Sequence, residues 1–123
     1  MSIDYKIKYH NGILKITTKG TDENLEEVFE YANAIIESAF KHQSRLILCD
    51  ERELEYKLTT LDTYKLAEYA SSYSNHIVKI VIVCNPQCLP EGKFYETVTT
   101  NRGLKVRVTT DIDEAEKWLN ENQ

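Results

Sequence analysis

Four acids, Asp50, Glu51, Glu53 and Glu55, crowd into six residues directly after the apolar run Leu46-Ile-Leu-Cys49. Carboxylates at the carboxyl end of a strand are candidates for general acid or base work, because open α/β sheets gather ligands there. With Arg52 among them they also read as a solvated loop over Glu51 to Leu58, and nothing fixes two of them at a defined separation. Cys84 and Cys88 flank Asn85-Pro86-Gln87. A single C-x3-C pair does not close a four-ligand zinc site. Cys84 also shares the inward phase of Val78, Ile80 and Ile82, so core packing is expected and no metal. A cysteine nucleophile needs a histidine or another cation beside it. His10, His42 and His76 fall in a hairpin turn, at a helix end and at a strand start, away from Cys84. No G-x-G-x-x-G or Walker pattern supplies a phosphate-cradling loop. The reading therefore assigns no catalytic residue and no cofactor. It names Asp50, Tyr56, Thr59, Thr60 and Asn85 as candidate binding residues, with Tyr56 expected at the surface.

These residues depend on a simple succession of elements. Asn11-Gly12 supplies the two positive-φ positions of a type I′ turn, and residues 3–18 read as a hairpin around it. Pairing across that turn sets Tyr9, Ile7 and Tyr5 opposite Leu14, Ile16 and Thr18 on one face. Lys8 then falls opposite Lys15, and Lys6 opposite Thr17, on the other. Thr21 or Asp22 is expected to cap a helix running to Lys41, whose residues Leu25, Val28, Phe29, Ala32, Ile35, Ile36, Ala39 and Phe40 form one apolar stripe. Arg45 to Cys49 reads as a short strand ending at Asp50. Thr59-Thr-Leu-Asp62 fits a capping box ahead of the next helix. A β-branched strand over Ile77 to Val83, a threonine-rich helix over residues 90–101, a strand over Leu104 to Val108 and a helix capped at Thr110-Asp111 complete the chain.

The order β-β-α-β-α-β-α-β-α predicts an α/β fold with a five-stranded mixed sheet. An antiparallel amino-terminal hairpin leads into four β-α units, forming a single domain over residues 3–120. Lys6, Lys8, Lys15, Lys79, Lys105 and Arg107 stand at outward phases of the strands. That pattern predicts all helices on one face and an open basic face on the other. Twenty acidic against fifteen basic residues, a net charge of −5, argue against a nucleic-acid binder. No apolar run reaches the ~20 residues of a membrane-spanning helix. Three cysteines without framework spacing, and an amino end without an apolar signal core, lead to the expectation of reduced thiols in the cytoplasm.

The topology and the closing segment Val106-Arg-Val-Thr-Thr-Asp-Ile-Asp-Glu-Ala-Glu-Lys-Trp-Leu119 resemble the STAS superfamily of anti-sigma-factor antagonists and its SpoIIAA-like branch. The family's phosphorylated Asp-Ser-Ser-Gly-like motif falls here on Leu58-Thr-Thr-Leu61. Thr59 and Thr60 keep the hydroxyls and are the candidate phosphorylation sites, while Leu58 and Leu61 replace the aspartate and glycine. A hydroxyl in this place also serves as a helix cap. The resemblance implies a non-enzymatic regulatory or protein-binding module, monomeric or homodimeric, whose contact surface lies at the strand carboxyl ends. The other reading is a small-molecule or lipid-binding carrier, or a small enzyme, using a pocket at the same end.

Overall fold

The structure, a computed structural model, describes residues 2–121. The hairpin of β1 (Ile3–His10) and β2 (Ile13–Asp22) turns at Asn11 and Gly12, whose φ angles are 51° and 81°. Its register pairs Tyr9 with Leu14, Ile7 with Ile16, Tyr5 with Thr18 and Lys8 with Lys15. The mixed sheet continues in sequence order through β3 (Leu46–Tyr56), β4 (Lys79–Cys84) and β5 (Val106–Thr109), all parallel to β2. The helices are α1 (Leu25–His42), α2 (Thr60–Ser71), α3 (Leu89–Asn101) and α4 (Ile112–Asn120), with one short 3-10 turn at Pro86–Cys88.

Helices α1, α2 and α3 each connect two neighbouring parallel strands, always stepping in the same direction across the sheet. Right-handed crossovers then place all three on one face. Val28, Tyr31 and Ile35 of α1, Ala70 of α2 and Leu89 of α3 pack there against Ile16, Ile47, Cys49, Ile82 and Val108. Gly92 brings α3 close, because a Cβ at that position would meet Val108 Cγ1 at 2.6 Å. A Glu96 carboxylate oxygen accepts the Val108 N–H at 2.7 Å, satisfying a backbone donor on the edge strand.

The expectation that all helices share one face is corrected by α4. It follows the last strand and crosses over nothing, so crossover handedness does not constrain it. Its Ala115, Trp118 and Leu119 pack with Leu48, Val81 and Val83 on the opposite face. Strands β3 and β4 are therefore buried on both sides, as their near-continuous apolar runs require. The expected basic face is interrupted accordingly. Lys79 is only 2% exposed and donates to the Trp118 and Glu121 carbonyls at 2.6 and 3.0 Å, closing the carboxyl end of α4. Arg107 lies 5.4 Å from the Trp118 ring, while Lys6, Lys8 and Lys15 stay exposed on β1 and β2.

Two other expectations change. The segment read as a charged loop over Glu51 to Leu58 is mostly the second half of β3, paired with residues 19–22 of β2. Because β2 runs on to Asp22, the cap of α1 moves to Asn24, whose Oδ1 accepts the Glu27 N–H at 3.1 Å. Thr59 caps α2 as its sequence suggests, with Oγ1 accepting from Asp62 N at 3.1 Å.

The two lysine environments predict different costs. Lys79→Met removes the ammonium donor shared by the Trp118 and Glu121 carbonyls, leaving Trp118 with the Glu121 N–H, and should lower unfolding free energy by about 1–3 kcal/mol. Lys8→Met should change it by no more than ~0.5 kcal/mol. Urea denaturation of both variants checks this, and equal effects would contradict the position of α4.

Candidate functional site

A bulge in β3 creates the polar end of the site. Thr17 pairs with Asp50 and Lys19 with Glu53, so β3 carries one more residue than β2 between these pairs. An extra residue shifts the side-chain phase by one. Cys49 and Glu51 before the bulge, and Leu54 and Tyr56 after it, consequently share the face beneath α1, α2 and α3. Glu51 is 7% exposed. Its Oε2 accepts the Tyr31 hydroxyl from α1 at 2.7 Å, and its Oε1 accepts the Tyr56 hydroxyl at 2.5 Å. Tyr31 spends its only hydroxyl proton on Glu51, so the 2.7 Å contact with Thr18 has the threonine donating. The chain Thr18 to Tyr31 to Glu51, with Tyr56 from the other side, leaves each hydroxyl paired.

Burial pushes the Glu51 carboxyl above the ordinary glutamate value, and the two tyrosine hydroxyls pull it part of the way back. Burial and the adjoining Glu51 carboxylate also push both tyrosines well up. Asp22, at the end of β2, is raised to about 7. Burial is the main cause; the Lys57 and Leu58 N–H groups oppose it, and the charges of Glu51 and Glu91 add to it. Asp22 Oδ1 accepts the Lys57 N–H at 2.6 Å, which turns the chain from β3 toward α2.

These groups stand at the polar end of a cavity of about 120 Å³ between the sheet and helices α1, α2 and α3. Its body is lined by residues such as Val28, Ile35, Ile47, Leu66, Ile80 and Ile82. Asp22, Glu51, Tyr56 and Glu91 line it toward the strand carboxyl ends.

The five candidate residues from the sequence are distributed unevenly around this cavity. Tyr56, expected at the surface, is half-buried and lines it through the contact with Glu51. Thr59 and Thr60 are exposed at the start of α2. Asn85 braces the loops: its Oδ1 accepts from Cys88 N at 3.0 Å and its Nδ2 donates to Leu54 O at 3.3 Å. Asp50 lies on the opposite face of the sheet, two residues on from Leu48. It is held by Arg52 at 2.7 and 2.8 Å, which lowers its pKa. Glu51 reads as one acid of a solvated run, Asp22 as a helix cap and Tyr31 as an ordinary helix residue, so the sequence does not bring the three together. The signal was available in Leu54 and Tyr56, two large apolar residues inside a charged stretch.

No family model matches the chain, and no curated protein matches it in sequence. Its structure is similar to that of an anti-sigma factor antagonist from Mycobacterium paratuberculosis, with a TM-score of 0.67 over 98% of this chain and 96% of that one, at 13% identity. The fold is STAS/SpoIIAA-like. A DUF3478-family protein from Shewanella loihica PV-4, described as having a SpoIIAA-like fold, is similar with a TM-score of 0.62. That match has 15% identity over 96% of this chain and 94% of that one. No described helix is long and apolar enough to cross a membrane.

The raised Asp22 has a definite consequence for stability. Its folded value of about 7 exceeds the ordinary 3.8, so the folded chain holds more protons than the unfolded chain between those limits. Stability contributed by the protonated acid is complete below about pH 4 and is lost as pH rises through 7. Asp22→Asn keeps the acceptor for the Lys57 N–H and removes the charge. It should be neutral at pH 4 and stabilising by about 1–3 kcal/mol at pH 8. Urea titrations at the two pH values measure this.

Proposed function

We propose that this chain is a non-catalytic regulatory module that binds another protein at the strand carboxyl ends. The observation that carries the reading is Leu61, which is 61% exposed on the first turn of α2. Tyr64, one turn further along, is also exposed. A large aliphatic side chain standing in water at a helix start, between exposed threonines and an aromatic ring, suits a contact that covers it. The fold shared with an anti-sigma factor antagonist, by that description a protein acting on a protein, supports the same reading. Burial weighs against a thiol nucleophile: it pushes Cys49 well up and Cys84 to about 11, keeping both protonated at neutral pH.

Thr59 and Thr60 are the switch positions in this proposal. A phosphate on either would add a charge of about −1.5 to −2 beside Leu61 and oppose an apolar contact there. Both side chains are exposed, and the Thr59 hydroxyl also holds Asp62 N. Thr60 is therefore the acceptor whose modification disturbs the cap least.

The test compares the wild-type chain with Leu61→Glu as baits for partner capture from cells that produce the protein. A specific partner should be retained by wild type and lost at least tenfold with the variant, at unchanged melting temperature. Tenfold corresponds to ~1.4 kcal/mol of binding. Equal recovery by the two baits would contradict a contact centred on Leu61.

A further inference from the structure

The cavity beneath α1, α2 and α3 has a chemistry that the docking surface does not use. We propose that it binds a small primary amine, with the ammonium group at Glu51 and Asp22 and an apolar body about the size of one aromatic ring in the rest of the cavity. The volume of about 120 Å³ is near that of the ~150 Å³ cavities that admit benzene. Its walls of valine, isoleucine and leucine favour an apolar body.

The polar end sets the sign of the head group. Asp22, Glu51 and Glu91 line the cavity, and among the described residues no lysine, arginine or histidine does. A carboxylate ligand would meet like charge in a site of low dielectric, whereas an ammonium would meet opposite charge. Hydrogen-bond capacity agrees. The Glu51 carboxylate offers about four acceptor positions, and Tyr31 and Tyr56 occupy one on each oxygen. Positions remain on both oxygens for a donor entering the cavity. Tyr95 lines the same space, and its phenol oxygen can accept a hydrogen bond from the head group. An ammonium group brings three donors and no acceptor. A neutral alcohol brings one donor and no charge.

The groups facing the head can be named element by element. Asp22 comes from β2, Cys49, Glu51 and Tyr56 from β3, Tyr31 from α1, Thr63 from α2, and Glu91 and Tyr95 from α3. All the ionisable ones among them are acids. An amine should therefore bind more tightly as pH rises from 5 to 8 and Asp22 loses its proton. This proposal is separate from the protein contact at Leu61, and either can fail alone.

The test uses benzylamine, benzyl alcohol and benzoate with the purified full chain, read by calorimetry and by shift of the melting temperature. At pH 8 benzylamine should bind at least tenfold more tightly than benzyl alcohol, with benzoate weakest, and the gap should narrow at pH 5. Glu51→Gln should abolish the preference for the amine while leaving the alcohol's affinity within twofold. Tyr95→Phe, which removes no charge, should weaken the amine severalfold and gives a second reading if the first variant misfolds. Equal affinity for amine and alcohol, tighter binding of benzoate, or no saturable binding of the three by the wild-type chain would overturn the proposal.

Discussion

Burying the Glu51 carboxylate between sheet and helices constrains much of what surrounds it. Removing such a group from water costs several kcal/mol unless hydrogen bonds replace its hydration. Here the replacement comes from two hydroxyls approaching from different directions, Tyr31 across the helix layer and Tyr56 along the same strand. Tyr56 reaches Glu51 only because the bulge turns residues 54 and 56 to the face that Glu51 already occupies. The bulge in turn requires β3 to continue past the end of β4, with β2 following it as far as Asp22. Asp22 then takes the Lys57 N–H and directs the chain into α2. One buried acid thus ties together the length of two strands, the placement of α1 and the entry to α2.

The parts of the fold legible in the sequence were those governed by local rules. Asn11-Gly12 specified both the turn and its register, because a slip of one residue would have sent Leu14 and Ile16 into water. Thr59 and Asp111 announced their helices because side-chain caps act over two or three residues. What escaped were effects of distance. The face chosen by α4 depends on which strands need cover, and Lys79 looked like a solvent residue until Trp118 and Glu121 supplied carbonyls to its ammonium group. The second half of β3 escaped because a bulge breaks the alternation by which strands are recognised and because its charges resemble a loop.

The candidate site was legible only at its rim. Thr59, Thr60 and Asn85 could be placed from strand ends and caps, whereas the pairing of Glu51 with two tyrosines spans 20 and 5 residues of sequence and has no motif. The resulting molecule has two distinct chemistries at one end of its sheet. Outside, Leu61 and the threonines at the start of α2 are exposed, where the proposed regulatory contact would lie. Inside, a small apolar cavity ends in acids held above their ordinary pKa values. The second face of the sheet carries no part of either; α4 covers it over β3 to β5, and the Asp50 pair with Arg52 lies there.

The most direct measurement is the titration of the Glu51 side-chain carboxyl carbon by nuclear magnetic resonance, in the wild-type chain and in Tyr56→Phe. Burial should place the wild-type midpoint above the ordinary 4.5, and loss of one stabilising hydroxyl should move it higher still in the variant. A midpoint at or below 4.5 in the wild type, unchanged by the substitution, would mean that Glu51 is solvated and that the tyrosines do not hold it.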